Sequence, residues 1–160
     1  MIHEFEPITK GIKAIVDEWE TILMAMPDDV ICNRRNNQNR NIKQILGHMV
    51  DSVSNNTHRI VHLQYCESPL YFPNYATHGN NDRWIAIQNY EDKNWFNLIQ
   101  LWKYTHVHLI HVIENVNPTK LDKLWIADGK NETVSLKEMI IDFLRHMQLH
   151  MDEINELYAN

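Results

Sequence analysis

The chain has no run of about 18 apolar residues, so no membrane span is expected. Basic residues are outnumbered, 15 Lys and Arg against 21 Asp and Glu, for a formal net charge of -6. General nucleic-acid binding needs a basic face and is not expected either. The opening "MIHEFEPITK" lacks a basic region followed by an apolar one, so no secretory signal is expected. The two cysteines, Cys32 and Cys66, fit no zinc or redox spacing. A disulfide between them stays open, although a reduced, cytoplasmic setting is simpler. There is no His-Glu-x-x-His, no Gly-x-Ser-x-Gly and no phosphate-cradling glycine loop. What remains is a 160-residue chain, read as one domain over 1–160 and long enough to bury a core without staples.

Four segments carry helical periodicity. The first covers about 7–26, where Ile8, Ile12, Ile15, Trp19, Ile22 and Met26 recur at spacings of four and three. Pro7 suits a first turn and Pro27 marks the stop. A polar stretch, "PDDVICNRRNNQNR", follows and is too rich in Asn and Arg to pack as core. The second helix is expected over about 41–67, opened by an Asn41/Gln44 capping box. Its apolar face carries Ile42, Ile45, Met49, Val53 and Ile60. A connection of roughly two dozen residues comes next, a length that is uncommon inside a compact domain and often functional. Within it "RWIAIQ" reads as a short helix or an extended piece. The third helix is expected over about 93–116, ended by Pro118. "LWIADGKNETVSL" then suggests a small hairpin or irregular strand pair with Asp-Gly at its turn. Ser135 and Glu138 have capping-box spacing for a fourth helix over about 136–158. The fold class is all-α: a four-helix bundle with a long second connection and a small irregular or hairpin segment before the last helix.

Ten histidines are the one unusual count. With that many, about half a pair at i,i+4 spacing arises by chance, so the two pairs His58/His62 and His146/His150 decide little by spacing alone. Placement decides more. At about 100° per residue, His146 and His150 fall at the edge of and within the apolar arc of Met139, Phe143, Ile154 and Leu157, one turn apart on the fourth helix. His58 and His62 point away from their helix's apolar arc and read as solvated surface. His48 is the best third candidate for a metal site. It shares a stripe with Ser52, Asn55, Arg59 and His62 that is either solvent face or the wall of a polar cleft. His106, on the seam of the third helix, reads as a core histidine satisfied by one hydrogen bond.

The order of these features resembles the DinB/YfiT-like superfamily. "QILGHMVDS" stands in the second helix, and "TVSLKEMI" opens a fourth that contains "FLRHMQLHMDEI". Between them "FPNYATHGNNDRWIAIQNYED" is similar to that family's loop, with a Tyr and a Trp before a Gln-x-Tyr element. The similarity covers essentially the whole chain and implies a divalent ion, zinc or nickel, on His48, His146 and His150. It also implies a metal-dependent enzyme, a hydrolase or a transferase that uses a low-molecular-weight thiol.

Three imidazoles with one open position is the arrangement of catalytic zinc. It suits water activation and thiol binding alike, so ligand identity does not separate the two reactions. Asp51, Asp142 and Glu153 are candidates to accept from the outward imidazole N–H groups. Asn55 and Arg59 are candidates to hold a substrate carboxylate or orient water. Tyr75, Trp84 and Tyr90 could roof the pocket, with packing of the loop the simpler reading for Trp84. A thiol partner would require positive charge for its carboxylates, available from Arg59, Arg83 and Arg145. The expected partner is a small-molecule substrate, with a homodimer through a helix face also expected. The competing reading is a non-catalytic metal-binding or stress-associated helical interaction module.

Overall fold

The computed structural model describes residues 3–126 and 132–159. Six α-helices and three short strands alternate in the order α1 (Glu6–Ala25), α2 (Asp28–Asn33), α3 (Ile42–Tyr65), β1 (Leu70–Tyr71), α4 (Asn80–Gln88), α5 (Trp95–Glu114), β2 (Leu124–Ile126), β3 (Thr133–Ser135) and α6 (Leu136–Ala159). The four long helices, α1, α3, α5 and α6, are the four expected from periodicity. No described helix is long and apolar enough to cross a membrane.

Helix ends form where the sequence supplies caps. Asn41 accepts from the Gln44 amide, and the Gln44 side chain accepts from the Asn41 amide, both at 3.0 Å. Ser135 and Glu138 exchange the same pair of bonds, at 3.2 and 2.9 Å, to start α6. Two side chains from elsewhere close C-termini, whose last carbonyls have no partner within the helix. Arg34 donates to the Leu157 and Tyr158 carbonyls of α6, and the Trp95 indole N–H donates to the Leu23 carbonyl of α1.

The extensive contacts run α3 to α5, α5 to α1, α1 to α6 and α6 to α3. Helices α1 and α3, neighbours among the long helices in sequence, therefore face each other across a diagonal, as do α5 and α6. The stretch between α1 and α3 is not the solvated polar linker its composition suggests. It contains α2, and Val30, Ile31 and Arg40 are buried. The correction has a plain cause: a diagonal crossing lies over the end of the bundle and has a core to cover. The centre of that core is Trp102 with Ile12, Leu23, Ile42, Leu46, Ile60 and Leu98, all fully buried.

The long second connection also holds more structure than a loop. "RWIAIQ" lies in α4, and Leu70–Tyr71 pairs in parallel with Trp125–Ile126. The expected hairpin is present as the antiparallel β2–β3 pair, so β1 makes it a three-stranded sheet in the order β1-β2-β3. The Asp-Gly turn expected at 128–129 lies outside the described residues. Cys32 and Cys66 are free thiols.

Candidate metal centre

Helix α3 presents its polar stripe to α6, and this brings His48 opposite His146 and His150. One ring nitrogen from each of the three lies within 4.8 Å of the others. The ring centroids of His150 are 4.6 Å from those of both His48 and His146, and edge-on to each. Of the two readings open for the stripe, the structure takes the cleft: His48, Ser52, Asn55 and Arg59 are all buried.

The outward nitrogens fix the rings. Glu153 Oε2 lies 3.0 Å from His150 Nδ1, where a carboxylate can only accept, so the proton sits on Nδ1. Tyr75 Oη lies 3.2 Å from His48 Nδ1 and donates its own proton to the His48 carbonyl oxygen at 3.4 Å. Its lone pair is then left to accept from His48 Nδ1–H. Ser52 Oγ stands 3.5 Å from His146 Nδ1, at the long limit of a hydrogen bond. Glu153 and Tyr75 assign the Nδ1–H tautomer to His150 and His48 and leave their Nε2 lone pairs free, while the Ser52 hydroxyl, donor and acceptor alike, suits either tautomer of His146.

The inward atoms are close enough to share a proton or a cation. His146 and His150 Nε2 are 3.2 Å apart, a separation that either an N–H···N hydrogen bond or a bound ion satisfies. Zinc bound at about 2.0–2.1 Å with tetrahedral angles would set two nitrogens about 3.3 Å apart. The residues present therefore fit a divalent ion.

Burial keeps His48 and His146 in the unprotonated form that a metal requires. The His48 pKa is pushed down to about 2, by desolvation first and then by the charges of His150, Arg40 and His146. His146 is lowered to about 4, again by burial ahead of His150. Glu153 is held below the usual carboxylate range chiefly by its bond to His150. His106 is separate from this centre. Its Nδ1–H donates to the Trp102 carbonyl at 2.7 Å in the core, the single hydrogen bond expected of it.

A cleft of about 520 Å³ reaches the site at His146. His146, Ser52, Arg59 and Tyr75 line it together with Trp125, Met139 and Phe143. Several candidates from the sequence have other partners. Asp51 accepts from the Tyr90 hydroxyl and the Gln88 amide, both at 2.6 Å, and touches no imidazole. Burial raises its pKa against those two hydrogen bonds. The Gln-x-Tyr element thus anchors the α4 segment to α3, and Tyr90 is core rather than roof. Asp142 lines the cleft but is held by Arg145 at 2.7 and 3.2 Å. Asn55 donates to the Asp51 carbonyl and faces a smaller cavity that shares Tyr75 as a wall. Trp84 packs edge-on against Tyr75, as loop packing predicts. Arg83 bonds Asn80 at the surface.

Two contributors were missed in the sequence. Ser52 stood on the right stripe, one turn from His48, but drew no role. Trp125 lies in a segment where nothing local distinguishes a cleft wall from hairpin packing.

No family model and no curated protein matches the chain. Among solved structures it is similar over 98% of its length to YfiT from Bacillus subtilis, described as a probable metal-dependent hydrolase with an unusual four-helix bundle topology. That match has a TM-score of 0.82 at 13% identity and covers 87% of YfiT. A mycothiol-dependent maleylpyruvate isomerase is also similar, with a TM-score of 0.71 at 12% identity over 91% of this chain. The match spans only 58% of the isomerase, and a histidine-to-alanine mutant of that enzyme superposes equally well. Likeness at such identities is likeness of fold: the chain has the DinB/YfiT-like four-helix-bundle fold.

Proposed function

We propose that this protein is a metal-dependent enzyme that holds one divalent ion, zinc or nickel, on His48, His146 and His150. It acts on a small molecule in the adjoining cleft, by hydrolysis or by transfer involving a low-molecular-weight thiol. The observation that carries this reading is the convergence of one ring nitrogen from each of three histidines, within 4.8 Å of one another, while Tyr75, Ser52 and Glu153 stand at their Nδ1 atoms. Such an ion, when bound, supplies Lewis acidity to a water or a thiol.

The chain's own residues supply the rest. Glu153 orients His150 and makes its inner nitrogen a better donor. Tyr75 and Ser52 do the same for the other two rings, and Tyr75 also closes one wall of the cleft. Trp125, Met139 and Phe143 give that cleft apolar surface that keeps water from the reacting groups. The comparisons agree with both branches, since YfiT is described as a hydrolase and the isomerase is mycothiol-dependent. The thiol branch gains from Arg59, a cation on the cleft wall suited to a carboxylate-bearing thiol.

Elemental analysis of protein purified without chelator tests the assignment. About one zinc or nickel per chain is expected from the three-ligand site. A His146→Ala/His150→Ala variant of unchanged helical circular dichroism should carry none. A wild-type protein that stays metal-free after zinc and nickel are added back would overturn the reading.

A further inference from the structure

Two cations among the described residues are buried, Arg40 and Arg59. Arg40 pairs with Asp82 at 2.6 Å. Arg59, only 6% exposed, has no carboxylate partner among the described residues, and its Nε–H has no hydrogen-bond acceptor. A guanidinium withdrawn from water without counter-charge is an unfavourable arrangement unless something else completes it. The Trp125 ring lies 4.1 Å from its Cζ and compensates one face. Stacking does nothing for the in-plane N–H groups, but it does hold the guanidinium in one orientation.

That orientation is on the wall of the cleft that also contains His146. Arg59 is seven residues beyond Ser52 on the same face of α3, about 10 Å along the helix. Its side chain leans back toward the histidines, as helical side chains do. The two carboxylates lining the cleft are already engaged, Asp142 by Arg145 and Glu138 by the Ser135 hydroxyl and amide. Neither pairs with Arg59, nor does any other carboxylate among the described residues, and both disfavour a doubly charged guest.

We propose that Arg59 binds a carboxylate of the substrate. The substrate class is then a small organic acid, or a thiol conjugate bearing a carboxylate, whose reacting group reaches the site at His146 while its carboxylate pairs with the Arg59 guanidinium on the cleft wall. The inference rests on the cleft being the substrate site of the enzyme proposed above. It selects a singly charged planar anion over a phosphate dianion, because a carboxylate matches the edge of the guanidinium fork.

The test uses the protein stripped of metal by chelator, with the monocarboxylate butyrate as the probe and the arginine Nε–H region of the proton–nitrogen NMR spectrum as the readout. The Arg59 signal, identified by its loss in Arg59→Gln, should shift and saturate with butyrate. Inorganic phosphate should move it less. Butyrate binding to Arg59→Gln should be at least about tenfold weaker, the loss of one charge-assisted hydrogen bond. Zinc content of the reloaded variant should equal that of wild type. An Arg59 signal indifferent to butyrate, equal binding by the variant, or a stronger response to phosphate overturns the proposal. Zinc content is measured separately, so a failed metal site and a failed carboxylate site give different results.

Discussion

His106 shows how one buried side chain can shape the acid response of the whole protein. Burial lowers its pKa to about 4 against the ordinary 6.5, and its bond to the Trp102 carbonyl offsets only part of that. Above pH 6.5 the ring is neutral in both folded and unfolded chains. Between 6.5 and 4 the unfolded chain takes up a proton that the folded one refuses, so stability falls with pH. Below about 4 both forms are protonated and no further loss accrues. The window is worth about 3 kcal/mol. His48 and His146 act in the same direction, so the contribution is isolated by difference. Urea titrations at pH 7 and pH 4 should show His106→Leu losing about 3 kcal/mol less than wild type; equal losses would mean the ring titrates normally. Gly47, beside His48, illustrates a different residue-scale constraint. A Cβ there would run into the ring of Tyr90, so the glycine lets the Gln-x-Tyr element seat against α3 and reach Asp51.

At the scale of elements, the two capping boxes share a sequence pattern and differ in surroundings. Asn41 is fully buried, and its side chain also donates to the Cys32 carbonyl and to Glu91. It ties α2 and the segment after α4 to the start of α3. The Ser135 box is solvent-exposed and serves α6 alone. Replacing a cap by alanine costs about 0.5–2 kcal/mol. Chemical denaturation should place Ser135→Ala near the lower end and Asn41→Ala at or above the upper end, with the Gln44 amide left without its acceptor and the Cys32 carbonyl without its donor. Equal losses would show that the extra Asn41 bonds carry no weight. The long helices and both caps were legible because apolar period and capping spacing are local properties. Helix α2 and strand β1 were not, since six residues and two residues are too short to display a period. The site divided along the same line. His146 and His150 share a helix and are legible from their placement on its apolar arc, and His48 from its stripe and by resemblance. The Asp51 misreading came from a partner 39 positions away, Tyr90, whose hydroxyl no local pattern could assign to it.

At the scale of the molecule, the three histidines join α3 to α6 at a point where no disulfide or ion pair does so among the described residues. An ion there would act as a cross-link present only in the folded chain. By mass action, zinc at about a thousand times its dissociation constant should stabilise the fold by about 4 kcal/mol. Thermal unfolding with zinc and with chelator should therefore differ by several degrees in wild type. In His146→Ala/His150→Ala the two curves should coincide; a zinc-induced rise in that variant would place the ion elsewhere. The diagonal arrangement of α1 and α3 was beyond the reach of the sequence. Periodicity states which face of a helix is apolar and leaves open which neighbour covers it.

The parallel pairing of β1 with β2 has a mechanical meaning. Tyr75 belongs to the connection that follows β1, and Trp125 sits on β2 itself. The Trp125 indole N–H adds a bond of 2.8 Å to the Phe72 carbonyl, between β1 and Tyr75. The residue that steadies His48 and the residue that stacks on Arg59 are thus carried by two chain segments riveted into one plate. The position of Tyr75 against His48 and that of Trp125 against Arg59 are therefore set by one shared support, through the β1–β2 pairing and the Trp125–Phe72 bond.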